Sequence, residues 1–102
     1  MKKIRWAILG AARVNEKLIP AITNSKQGEL VAIGSRRKNA AEECVKKYAE
    51  KHINKIECHT GFDSIIDNKE IDAIYIPLSN EEHTETALKA IRNKKHVLVE
   101  KP

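Results

Sequence analysis

Apolar positions along the chain follow two alternating periods. Short runs rich in β-branched residues are separated by longer stretches in which apolar residues recur every three or four positions, the pattern of parallel strands joined by crossover helices. Residues 4–9 form the first run, mostly apolar and closed by Gly10, as a strand buried on both faces should be. A helix is expected over about 14–24, with Leu18, Ile19 and Ile22 on one face and a kink at Pro20, whose ring removes a backbone bond. Residues 30–33 read as the second strand, running into Gly34-Ser35-Arg36-Arg37. The next helix, about 39–52, places Ala41, Cys44, Val45 and Tyr48 on one stripe, while Glu42, Glu43, Lys46 and Lys47 face solvent.

A weak strand around 56–58 leads to Gly61 and a short helix turning Phe62, Ile65 and Ile66 to the core; residues 67–70 read as a turn. Residues 71–76 are the clearest strand, stopped by Pro77. A helix over about 81–93 stacks Thr84, Ala87, Leu88 and Ile91 on one side, and residues 97–99 form a fifth strand. This order predicts an α/β fold, a Rossmann-like doubly wound parallel sheet of about five strands with helices on both faces. Ligands of such sheets bind beyond the carboxyl ends of the strands. The unusual residues fall at that edge: Gly10 to Arg13, Ser35 to Arg37, Pro77 to His83, and Glu100 to Pro102.

Length and composition narrow the reading. At 102 residues the chain is expected to be one domain; 41% hydrophobic and 32% charged residues suit a globular protein and argue against disorder. The longest uncharged apolar stretch, Trp6 to Ala12, falls short of the roughly 20 residues of a membrane span. Lys2 and Lys3 lack a following cleavage site, so the start reads as the first strand of a cytoplasmic protein. The net charge of +5 is scattered and aromatics are only 4%, which argues against nucleic acid as partner. Cys44 and Cys58 have no second pair at zinc-module spacing, and neither a metal site nor a disulfide framework is expected.

The candidate chemistry begins after the first strand. Gly10-Ala11-Ala12-Arg13-Val14-Asn15 stands where dinucleotide-binding domains carry G-x-G-x-x-G, and only its first glycine is kept. Ala12 adds a methyl group, and Asn15 is the larger departure. The helix amino end still aims free N–H groups at an anion. Ser35 lies 25 residues beyond Gly10, near where NAD-binding domains place a carboxylate on the adenosine ribose. No carboxylate stands there. Ser35 can hydrogen-bond, and Arg36 or Arg37 can pair with a 2′-phosphate, so NADP is the preferred cofactor and NAD the other choice.

The segments 7–14, Gly-Ser-Arg at 34–36, Ile-Pro-Leu-Ser-Asn-Glu-Glu-His at 76–83 and Lys-His-Val-Leu-Val-Glu-Lys-Pro at 95–102 together resemble the glucose-fructose oxidoreductase/inositol dehydrogenase (Gfo/Idh/MocA) family. The resemblance spans nearly the whole chain, and its most specific part is the closing Glu-Lys-Pro. It implies an NAD(P)-binding domain normally followed by a larger β-sheet domain that binds a sugar- or polyol-like substrate and mediates oligomerisation. By that resemblance Lys101 matches the active-site lysine, Glu100 orients it and Pro102 fixes the turn presenting it. Pro77, Leu78, Asn80 and His83 match a cofactor-binding loop near the nicotinamide, with Ser79 replacing a frequent proline. Since residues 1–102 would hold only the dinucleotide-binding domain, the small-molecule substrate is expected only with the missing domain, and the isolated chain should turn over little. The alternative is a non-catalytic nucleotide-binding or protein-interaction module. If nothing follows it, the last strand is expected at an exposed sheet edge, a route to self-association.

Overall fold

The protein is described by a computed structural model for residues 3–10, 15–50, 55–77 and 82–99. Its elements in chain order are β1 (Ile4–Leu9), α1 (Asn15–Thr23), β2 (Gly28–Ser35), α2 (Ala40–Tyr48), β3 (Glu57–Thr60), α3 (Asp63–Ile66), β4 (Ala73–Ile76), α4 (Glu82–Arg92) and β5 (His96–Val99). All strand pairs are parallel, in the order β3-β2-β1-β4-β5. Successive strand side chains point to opposite faces, and here each face has its own core. Ile8 and Tyr75 pack with Ile19 and Ile22 of α1 and with Cys44 and Val45 of α2. Ala7, Leu9, Ile74 and Ile76 pack with Ile65 and Ile66 of α3 and Ala90 of α4. The expected doubly wound sheet with helices on both faces is the observed one.

Several boundaries differ from the sequence reading, each for a packing reason. β2 is longer than residues 30–33, because β1 offers ladder partners from Ile4↔Gly28 to Leu9↔Gly34 and β3 extends the pairing to Ser35↔Thr60. Its register shifts between Trp6 and Ala7, whose partners are Leu30 and Ala32, so Val31 is an extra residue. That bulge lets Leu30 and Ile33 join one core while Ala32 joins the other. α1 contains Pro20, as expected, and the Pro20 carbonyl accepts from Asn24 N–H at 2.9 Å. α2 ends at Tyr48 rather than 52, since Ala49 leaves helical geometry (φ −145°) and buries itself in the core. β3 begins one residue later than expected and is a sheet edge, which explains its weak pattern.

The largest correction concerns α4. Its inward residues are Thr86 and Ala90, with Ala87 half-buried, whereas Leu88 and Ile91 are 47% and 57% exposed. The underlying Ile74, Ile76 and Val97 are bulky, so small helix residues let α4 approach the sheet. The helix ends in a Schellman motif: Lys94 takes φ 61°, Lys94 N–H donates to Ile91 O at 2.9 Å and Lys95 N–H to Ala90 O at 3.1 Å.

Asp72 ties the amino ends of three strands. Its Oδ2 accepts from Arg5 N–H at 3.0 Å and from Arg5 Nε at 3.2 Å, its backbone N–H donates to Arg5 O, and its carbonyl accepts from His96 N–H. Arg5 also pairs with Glu70. The Arg5 side chain, then the Arg5 backbone N–H, hold the Asp72 carboxyl below its ordinary pKa of 3.8. A carboxyl lowered on folding adds stability that is complete above the unfolded value and lost as pH falls through the folded one. Asp72→Asn is therefore expected to flatten the loss of stability below pH 3.8, measured by urea unfolding across acid pH. An unchanged acid slope would reject this role.

Candidate functional site

In this strand order β1 is where the sheet reverses direction, with β2 on one side and β4 on the other. The crevice beyond the carboxyl ends of β1 and β4 is the expected ligand position. Gly10 and Pro77 stand there. Gly10 is buried at φ 131°, which a residue with a Cβ adopts only with strain, and its N–H donates to Gly34 O at 2.7 Å. α1 begins at Asn15, so its positive end faces the same edge. Ala11, Ala12, Arg13 and Val14 lie outside the described residues.

The end of β2 is held from several directions. Ser35 is the last strand residue rather than a loop residue and is only 5% exposed. Its carbonyl accepts from Gly61 N–H at 2.7 Å and its Oγ from Arg37 N–H at 3.3 Å. The hydroxyl hydrogen has no acceptor among the described residues. Next to it the Arg36 guanidinium lies over the Phe62 ring, 5.1 Å from the centroid. Arg36, Gly61, Phe62, Asp63, Thr86 and Lys89 line a cleft of about 250 Å³. Lys89 Nζ is 4.0 Å from both Asp63 Oδ1 and Glu85 Oε1, spanning the cleft mouth. The cleft is too small for a whole dinucleotide and suits one flat ring beside a guanidinium.

Residues 4–102 match the oxidoreductase family GFO_IDH_MocA, NAD-binding Rossmann fold. The chain belongs to this family. It is 36% identical to the uncharacterised oxidoreductase ORF334 of Rhizobium meliloti, covering all of this chain and 29% of that protein. It is 32% identical to the dTDP-3,4-didehydro-2,6-dideoxy-alpha-D-glucose 3-reductase of Saccharopolyspora spinosa, covering 99% of this chain and 29% of the relative. Among solved structures, KijD10, a 3-ketoreductase from Actinomadura kijaniata in complex with NADP, superposes with a TM-score of 0.86 at 30% identity, covering 99% of this chain and 31% of KijD10. The chain thus spans about three-tenths of the length of these relatives and corresponds to the NAD(P)-binding domain of this GFO_IDH_MocA oxidoreductase family.

Of the residues singled out in the sequence, the structure brings Gly10, Ser35, Arg36, Arg37 and Pro77 to the carboxyl edge of the sheet. Leu78, Asn80, Glu100 and Lys101 lie outside the described residues, and His83 is placed only as part of the α4 backbone. Phe62, Asp63, Thr86 and Lys89, which line the cleft with Arg36, were not among the candidate site residues. Gly61, at φ 95° after β3, was the available signal, since it closes a strand before a helix as Gly10 does.

The adjacent Cys58 and His59 cannot converge on one ion, because neighbours on a strand face opposite ways. Cys58 packs against the α1/α2 core, where burial pushes its thiol pKa up, while His59 Nδ1 lies 2.8 Å from Ser64 Oγ at α3. Among the described residues no three His, Cys, Asp or Glu side chains gather as a metal site. No helix among them is long and apolar enough to cross a membrane.

Proposed function

We propose that this domain binds NADP in preference to NAD and serves, within a longer protein, an oxidoreductase acting on a sugar- or polyol-like hydroxyl or carbonyl. The observation that carries the cofactor choice is the end of β2. Ser35, buried with no acceptor for its hydroxyl hydrogen among the described residues, precedes two arginines rather than a carboxylate, and the Asp63 and Glu85 carboxylates of the neighbouring cleft each stand 4.0 Å from Lys89 Nζ. The 250 Å³ cleft beside Arg36 would take the adenine ring, with the guanidinium on its face. The pyrophosphate would lie by Gly10 at the amino end of α1. KijD10, which superposes over 99% of this chain, is a 3-ketoreductase solved with NADP, which supports the cofactor, and the Saccharopolyspora spinosa relative, a dTDP-3,4-didehydro-2,6-dideoxy-alpha-D-glucose 3-reductase, supports the substrate class.

The bound nicotinamide supplies hydride acceptance or donation at the substrate carbon. Lys101 is proposed to carry the accompanying hydroxyl proton, with Glu100 orienting its amine. Isothermal titration of the folded chain tests the cofactor reading. Arg36→Ala is expected to weaken NADP by roughly tenfold or more, the size of a charge-assisted hydrogen bond, and NAD by less. Equal losses would remove the 2′-phosphate argument, and no binding of either dinucleotide at millimolar levels would remove the site.

A further inference from the structure

The opposite, amino edge of the sheet holds a larger cavity of about 930 Å³, to which the sequence reading gave no chemistry. Its floor is apolar and incompletely covered: Ile4 is 44% exposed, Trp6 is half-buried, and Ile71 lies beside them. Lys69, Arg92 and Lys94 stand exposed around it with no ion-pair partner among the described residues. Six lysine and arginine side chains line the cavity against two aspartates, Asp67 and Asp72, a far stronger bias than the 19 to 14 of the whole chain. Arg5 and Asp72 pair with each other, which leaves five cations against Asp67.

Lys95 makes this more than a basic surface. It lines the cavity at only 8% exposure, and its Nζ donates to Asn68 O at 2.6 Å and Ile71 O at 2.8 Å. An ammonium has three hydrogens, and the third has no acceptor among the described residues. Burial lowers the Lys95 pKa, as expected for a cation short of solvation. An anion in the cavity would relieve that shortage.

We propose that this cavity is a second binding site, for a small amphiphilic anion with a carboxylate or sulfonate head and an apolar ring or short chain. A bare inorganic anion would leave Ile4 and Trp6 uncovered, and a neutral apolar molecule would leave the cationic rim unused. The volume falls in the range of small-molecule pockets, roughly 300–1,000 Å³. The site stands apart from the dinucleotide reading, because it lies at the other end of the strands.

Trp6 is the sole tryptophan and lines the cavity, so its fluorescence reports occupancy directly. The folded chain is titrated with anilinonaphthalene sulfonate, reading energy transfer from Trp6, and then with octanoate as competitor. Saturable transfer displaced by octanoate is expected. The double variant Lys69→Glu with Arg92→Glu should weaken binding about tenfold or more, while Lys47→Glu on α2 should leave it unchanged. Near-ultraviolet circular dichroism establishes that each variant is folded. Absence of saturable transfer, or a folded double variant that binds like the wild type, overturns the proposal. Binding that survives saturation with NADP supports a separate site, and competition between the two refutes it.

Discussion

Gly34→Ala is expected to destabilise the protein by about 1–3 kcal/mol, the usual cost of overpacking a tight interior, and to weaken dinucleotide binding. A Cβ there would stand 2.8 Å from Ile65 Cδ1 and 2.9 Å from Gly61 O. The isoleucine tip can rotate away. The Gly61 carbonyl belongs to the loop whose N–H bonds Ser35 O, so retreat would disturb the end of β2. Gly34 also accepts the Gly10 hydrogen bond, which couples the strain to the β1 turn. Urea unfolding of Gly34→Ala beside Gly28→Ala is the comparison, since a Cβ at Gly28 meets only Trp6 ring atoms and Ser25 Oγ at 3.4 Å or beyond. Equal destabilisation by the two would show that the close approach of the Gly61 loop is not the cause.

Lys95→Met should cost about 1–3 kcal/mol, the penalty for leaving buried hydrogen-bonding groups unmatched. Methionine keeps an unbranched stem and removes the ammonium. Asn68 O keeps the Ile71 N–H at 3.2 Å, whereas the carbonyl of Ile71, a residue only 3% exposed, loses the ammonium and cannot turn to water. Opposing this, the variant no longer buries a charge. The unmatched Ile71 carbonyl outweighs that relief, because the nearby carboxylates of Asp72 and Asp67 already offset part of the cost of burying the ammonium. Urea unfolding at neutral pH decides it, and a variant as stable as the wild type would mean that these bonds contribute nothing net.

Much of the fold was legible in local pattern. The runs around β1, β2, β4 and β5 and the stripes of α1 and α2 depend on short-range periods, and Gly10 and Pro77 mark strand ends through backbone sterics. The Ser35-Arg36-Arg37 half of the site was legible for the same reason, because one contiguous segment carries it. Phe62, Thr86 and Lys89 were not, since they come from the loop after β3 and from α4 and meet Arg36 only when those elements dock.

α4 shows the limit most plainly. Its apolar residues define a stripe, yet Ala90 and Thr86 face inward and Leu88 and Ile91 remain exposed. Val31 in β2 makes the same point: nothing local separates it from its neighbours, and its place as the unpaired residue follows from β1. The sequence by itself determined the element types, the parallel αβ alternation and which residues stand at the end of β2. Tertiary structure alone decided the bulge, the rotation of α4, the second wall of the cleft and the burial of Lys95. Periodicity and backbone sterics act within a few residues, whereas the available volume between sheet and helix depends on side chains distant in sequence.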